Sequence, residues 1–189
     1  MPSKNLSKTF PNRKSRKRRL ELRRTRTSSS LRKLTPVRDC LNQLVGKGLV
    51  DLTPGEGFRV PYLTDQGLRD HLHVHHALLK RALSATWRNS EFDRSKDATA
   101  PYAYRLGAVF HQLAAGAGNR LLTHYVQQIG WRLQPIRRYE PEILPDAGSL
   151  LGDLAASLML TKTDRCAAVD TYHDVCLTLV AALVARARA

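Results

Sequence analysis

Cysteine is scarce in this chain of 189 residues. Only Cys40, Cys166 and Cys176 occur, far apart and with no Cys-x-x-Cys pair. That excludes a disulfide framework and leaves reduced thiols in a cytoplasmic protein as the expectation. Long apolar runs are missing too. The longest, Leu177 to Ala185, falls well short of the roughly 20 residues needed to span a bilayer. The opening residues MPSKNLSKTF contain no apolar stretch of the signal-peptide kind, so no export and no membrane contact are expected. No Gly-x-Ser-x-Gly, phosphate-binding loop, His-Glu-x-x-His or paired-carboxylate signature occurs, and an enzyme is not expected. There is no internal repeat.

Acidic residues are nearly missing from one end. Residues 1–38 hold fourteen of the 31 lysines and arginines but a single acid, Glu21. The other 151 positions are close to neutral, so the net charge of +15 belongs mainly to the N-terminal end. A concentration of this kind favours a polyanion, through phosphate contacts and the release of counterions. Residues 1–30 also lack apolar periodicity: Leu6, Phe10, Leu20 and Leu22 are too scattered for packed helices. They read as a basic, disordered arm ending in the linker-like TSSS of 27–30.

From Thr35 onward the chain is patterned. Thr35 suits an N-cap and Pro36 the first helical position. Val37, Leu41, Leu44 and Val45 make an apolar face expected to point inward, until Gly46 and Gly48 end the helix. Leu49–Leu52 reads as a strand, Thr53–Gly57 as a turn, and Phe58–Val60 as the returning strand. No strand pattern appears after Val60. Thr64 caps a helix expected to reach about Arg88, with Leu68, Leu72, His75, Leu79 and Leu83 inward. Residues 89–101 are a polar connection. A helix over Tyr102–Ala115 buries Leu106, Val109, Phe110 and Leu113, and Gly116–Gly118 breaks it. Asn119 begins another helix, interrupted by Pro135, Pro141 and Pro145. Leu150–Leu160 is a further helix. Asp164 is the expected cap of a last one running from Arg165 to Arg188. The fold expected is mainly α: a partial winged helix-turn-helix over 31–62, then an all-helical bundle over 63–189.

The string TPVRDCLNQLVGKGLVDLTPGEGFRV resembles the recognition helix and wing of GntR-type bacterial transcription regulators. The later LTDQGLRDHL and VFHQLAAGAGNRLL, with the pairs Phe110-His111 and Gly118-Asn119, resemble that family's FCD branch. The resemblance spans about 31–189. It departs from the family ahead of TPVR, where two apolar-patterned supporting helices are the rule. It implies a homodimeric regulator that places a recognition helix in the major groove of a palindromic double-stranded operator. Lys33, Thr35 and Arg38 would make groove contacts, Gly55 and Gly57 would let the wing approach the backbone, and Arg59 would meet a phosphate. The alternative is a ligand-binding helical protein whose DNA-binding module has degenerated.

For the bundle, the resemblance implies a small organic acid effector anchored by a divalent, zinc-like metal on one Asp and three His. His111 matches the first His. Gly107 stands where the Asp is expected, Asp153 where the second His is, and His173 lies two residues from the third. The residual metal set is His111, Asp153 and His173, and a pocket without metal is the favoured reading. His76 falls near the family's effector-binding Arg, so His76 and His111 are the effector candidates. His71, His73, His75 and His76 otherwise read as surface histidines.

Overall fold

The computed structural model describes residues 36–61, 63–87 and 99–189. The basic arm, Lys33, Thr35 and the greater part of the 89–101 connection lie outside the described residues. The chain divides into one unit ending at Val60 and a second over Pro61–Ala189.

In the first unit, α1 (36–46) leads to a two-stranded antiparallel ribbon of β1 (Asp51–Thr53) and β2 (Gly57–Arg59). Gly48 closes α1 at φ 65°, a left-handed conformation cheap only for glycine. The Leu49 N–H then reaches the Leu44 carbonyl at 2.9 Å, and the Gly48 N–H reaches Val45 at 2.8 Å. This paired closure satisfies carbonyls that the helix end would otherwise leave open. The ribbon pairs Asp51 with Arg59, Leu52 with Phe58 and Thr53 with Gly57. Its turn puts Pro54 and then Gly55 (φ 86°) at the corner, and the Glu56 N–H returns to the Thr53 carbonyl at 3.1 Å.

None of the described residues 36–60 is buried. Val37, expected to point inward, is 58% exposed, while Leu41, Leu44 and Val45 are half-buried. A helix and a two-stranded ribbon supply only two sides of a core, so the apolar stripe of α1 stays partly open.

The second unit is a helical bundle: α2 (Asp65–Leu83), α3 (Tyr102–Ala115), α4 (Arg120–Arg137), α5 (Glu140–Ile143), α6 (Ala147–Ser157), α7 (Lys162–Thr178) and α8 (Val180–Arg188). α2 is the hub and packs against α3, α4, α7 and α8. Its stripe of Leu68, Leu72, Leu79 and Leu83 is buried, as are Leu106, Val109, Phe110 and Leu113 of α3. The Thr64 hydroxyl caps α2 by accepting from the Gly67 N–H, and the side-chain Oδ1 of Asn119 caps α4 by accepting from the Leu121 and Leu122 N–H groups at 3.1 Å. Each such cap contributes about 1 kcal/mol. Among the described residues, no single helix is long and apolar enough to cross a membrane.

Several boundaries differ from the sequence reading. α2 ends at Leu83, capped by Ser84 in a helical conformation. Pro135 does not break α4: it sits in the last turn on an exposed face, where one missing hydrogen bond is tolerated. α6 starts at Ala147 rather than Leu150. The cap of α7 is Thr161, not Asp164. Asp164 is instead the reciprocal partner in a capping box, its carboxylate accepting from the Thr161 N–H at 3.0 Å while the Thr161 hydroxyl accepts from the Asp164 N–H. The hydroxyl bond, then the backbone bond, hold the Asp164 carboxyl below its usual range. The single C-terminal helix is two helices bent by 63° at Leu179, which lets both keep apolar residues in the core. Gly116 does more than break α3. A β-carbon there would lie 2.2 Å from the Trp87 ring, which is itself stacked under the Arg165 guanidinium at 4.0 Å.

Candidate functional site

The first unit places Arg38 in the opening turn of α1, exposed, beside a Val37 that is exposed as well. Arg38 lines the same cleft as Gly55 and Gly57 at the ribbon tip, together with Val37, Leu41 and Phe58, and the cleft measures about 690 Å³. Both glycines have positive φ, 86° and 90°, and carry no side chain, so the backbone at these two positions can approach another molecule closely, beside the exposed Pro54 and Glu56 of the same turn. Arg59 is exposed on β2, opposite Asp51. Of the six DNA-contact candidates, Arg38, Gly55 and Gly57 share one cleft, Arg59 lies on the ribbon beside it, and Lys33 and Thr35 lie outside the described residues.

In the bundle the histidines separate. His73 is exposed, and His71 turns back on its own helix, its Nδ1 2.6 Å from the Gly67 carbonyl. His75 is fully buried, as its place in the inward stripe between Leu72 and Leu79 requires and against its grouping with the surface histidines. There its Nδ1 lies 2.9 Å from Nε2 of His173, which is equally buried. The Nδ1 of His173 lies 2.7 Å from the Val169 carbonyl. That carbonyl can only accept, so His173 carries its proton on Nδ1 and its Nε2 is a lone pair. His75 must then donate from Nδ1, which leaves its own Nε2 as the acceptor for Nη2 of Arg137 at 3.4 Å. The chain of bonds has one direction and needs both imidazoles neutral. Burial, followed by the neighbouring Arg137, holds His75 well below the usual histidine range; burial lowers His173 to about 3.

His76 stands at the rim. Its Nε2 is 2.6 Å from Asp170, whose carboxylate also takes Lys80 at 2.9 and 2.7 Å. Burial is the largest single influence on the Asp170 carboxyl and raises it, but the bonds from Lys80 and His76 and their charges together outweigh it and the group is lowered overall. His111 faces elsewhere. It lines a shallow pocket of about 350 Å³ with Arg120, Thr123, His124 and Gln127, along the α3–α4 groove. Asp153 is exposed on α6.

His111, Asp153 and His173 therefore do not come together as ligands. Among the described residues, no group of three or more His, Cys, Asp or Glu side chains is placed to hold a metal. The donors do not fit the zinc-like site that the resemblance implies. Gly107, in the place of the missing Asp, packs on Gln134, and His173 is committed to His75 and Val169.

The sequence reading missed a second buried polar group. Arg137 and Glu140, 1% and 2% exposed, bracket the turn from α4 into α5. Glu140 accepts from Tyr172 at 2.7 Å on Oε1 and from Tyr102 at 3.1 Å on Oε2. Burial raises the Glu140 carboxyl, against the pull of Arg137 and the two hydroxyls. Arg137 lies over the Phe110 ring at 4.9 Å. One signal was available: Arg137 follows Leu133 by four positions and Ile136 by one, on the apolar face of its helix.

No protein-family model matches the chain, and no curated protein sequence does. Among solved structures the fold matches E. coli McbR/YncC, a GntR-family regulator. The two chains share a fold. The superposition has a TM-score of 0.56 and covers 79% of this chain and 85% of that one, at 16% sequence identity. At that identity the likeness is one of fold. It gives no residue of this chain a role.

Proposed function

We propose that this protein is a transcription regulator of the FCD branch, which reads double-stranded DNA through α1 and the ribbon and senses a small carboxylate in its bundle. The observation that carries the reading is the shared cleft of Arg38 with Gly55 and Gly57 of the ribbon turn. An exposed helix start with a basic side chain, beside a glycine-containing ribbon turn, suits a major groove and its adjoining backbone. Lys33 and Thr35, just ahead of α1, would extend the groove contacts, and Arg59 would meet a phosphate. The arm of 1–30 would add sequence-independent phosphate contacts. The working form would be a homodimer, since a palindromic operator mirrors a two-fold protein.

In the bundle, His76 at the rim and His111 in the α3–α4 groove are the effector candidates first named by the sequence. His76 is already engaged by Asp170, so ligand binding there would compete with that ion pair. We propose that the effector is held without metal, because the candidate ligands lie apart.

The test is a nuclease footprint with the full chain on promoter DNA. Protection of a discrete palindrome, relieved or strengthened by carboxylates, is the expected outcome. One observation favours a second reading, in which the bundle binds a ligand and the first unit no longer reads DNA: none of the described residues 36–60 is buried. Uniform, sequence-independent retardation with no footprint would select that reading.

A further inference from the structure

Single exposed apolar residues are ordinary on a protein surface; a line of them along one helix is not. α4 carries such a line. Leu121, Tyr125, Gln128, Arg132 and Pro135 follow one another at alternating steps of four and three, so they share one face. Leu121 is 62% exposed, Tyr125 49%, and Trp131, at the edge of the same face, 36%. Arg132 and Pro135 are exposed and Gln128 is half-buried. The opposite side of α4, with Val126, Leu133 and Ile136, already packs in the core. The helix is thus apolar on two sides, and the outer one is open.

The chemistry of that outer face is that of a protein interface. Aromatic residues and arginine are enriched at interfaces, whereas lysine, aspartate and glutamate are depleted. α4 contains no Lys, Asp or Glu. The outer faces of α2 and α7 differ: they expose Asp65, Asp70 and Arg81, and Lys162, Asp164 and Asp174, as solvated helices do. Tyr104, 58% exposed, widens the patch. The Gln134 side chain donates to the Ala103 carbonyl at 3.2 Å and sets this part of α3 beside the end of α4 that carries Trp131 and Pro135.

We propose that this face is a two-fold interface, on which α4 of a second copy of the chain lies antiparallel, with the axis passing beside Gln128. The proposal rests on the homodimer reading for its symmetry but requires no DNA. The order of residues along α4 is self-complementary about that point. Leu121 and Pro135 lie seven residues to either side of Gln128, about 10 Å along the helix, so each Leu121 meets Pro135 of the other copy. Tyr125 comes level with Trp131 and Arg132 of the other copy, which suits ring against ring and a guanidinium over a ring. Like charges stay apart: Arg132 faces a tyrosine, and the two Arg132 positions are separated by about 12 Å along the helix. An interface of standard size takes about 800 Å² from each partner, and the exposed Leu121, Tyr125, Trp131 and Tyr104 supply its apolar centre.

The experiment is sedimentation equilibrium of the full chain at micromolar concentration, reduced and without DNA. The parent should be a dimer. Leu121→Gln combined with Tyr125→Lys should weaken it at least tenfold, because the new lysine faces Arg132 of the other copy. Both side chains are exposed and both replacements favour a helix, so the thermal melt of the bundle should stay that of the parent. Oxidative cross-linking then locates the axis. With the exposed Cys40 replaced by serine, Gln128→Cys should link to its own copy, whereas Asp153→Cys on α6 and the Cys40→Ser background should not. A monomeric parent overturns the proposal, as does a dimer left equally strong by the paired substitution. Cross-linking through Asp153→Cys as readily as through Gln128→Cys overturns the axis. A monomer whose tryptophan emission shifts on vesicles of phosphatidylglycerol assigns the face to an anionic surface and overturns the pairing too. An operator footprint from a chain that is monomeric in solution would sink this face and leave the regulator reading standing; a dimer broken by the paired substitution, with no footprint, would do the reverse.

Discussion

The two units of this chain use their residues in opposite ways. The first keeps every described residue from 36 to 60 at least partly exposed, its apolar ones included, and puts its distinctive features at the surface: an arginine at a helix start and two left-handed glycines at a turn. The second buries Arg137, Glu140, His75 and His173 among leucines and aromatic rings. Exposed polar groups are cheap and gain meaning only from what they touch. Buried ones must be satisfied or compensated, so their arrangement is itself informative. The helix and ribbon are thus legible from local sequence, whereas the bundle's site is legible only from its packing.

Truncating equivalent apolar residues tests this contrast with the largest effect. Leu106, fully buried in α3, should lose about 2–5 kcal/mol as Leu106→Ala, while Leu52→Ala on the ribbon, where the side chain is 47% exposed, should change stability by no more than about 0.5 kcal/mol. Denaturant unfolding of both variants measures it. Comparable losses would mean that the first unit has a core that its exposed residues do not reveal.

Acid should separate the units next. His173 is held at about 3, below its unfolded value near 6.5, and His75 is lowered in the same direction. A histidine depressed in the folded state contributes stability that is complete above the unfolded value and is lost as pH falls beneath it. Between pH 7 and pH 5 the His173 contribution should fall by about 2 kcal/mol, because the unfolded chain takes up the proton that the core refuses. Urea midpoints at the two pH values, compared with those of a His173→Gln variant that lacks the imidazole, give the measurement. A midpoint equally sensitive in both proteins would remove the imidazole chain as the cause.

On the DNA side, Arg38→Ala should cost about 1–3 kcal/mol of operator binding if it reads a base through two bonds. Its exposure predicts no change in melting temperature, which makes it a binding lesion without a folding lesion. Operator affinity equal to that of the parent in a gel-shift titration would take Arg38 out of the reader. The smallest effect belongs to the capping box: Thr161→Ala should destabilise the bundle by about 1 kcal/mol, and leave operator affinity in the same gel-shift titration unchanged. A loss well above that figure would show that Thr161 does more than cap α7.

The legible parts of the fold are those that depend on neighbours in sequence. Leucines three and four apart announced the buried faces of α2 and α3, and Thr64 and Asn119 announced the caps of α2 and α4, because a helix presents its own periodicity wherever it packs. The errors have the same root. Thr161 and Asp164 are equivalent N-cap signals until one sees which amide each reaches. Pro135 reads as a breaker until its turn is seen to face outward. The single C-terminal helix divides because both halves must reach the core. For the site, the metal set was assembled from positions along the chain, and α3, α6 and α7 carry His111, Asp153 and His173 to separate places.

Sequence by itself determined the basic N-terminal end, the helix-and-ribbon order around Arg38, the glycines of the wing tip and the all-helical character of the rest. Each of these is written in composition or in short-range pattern. Tertiary structure alone decided that His75 meets His173, that Glu140 is taken by two tyrosines, and that Arg137 is buried with Nε and Nη1 unpaired among the described residues. Such contacts join residues tens of positions apart, and helical periodicity tells which face of a helix is buried but not which side chain waits opposite.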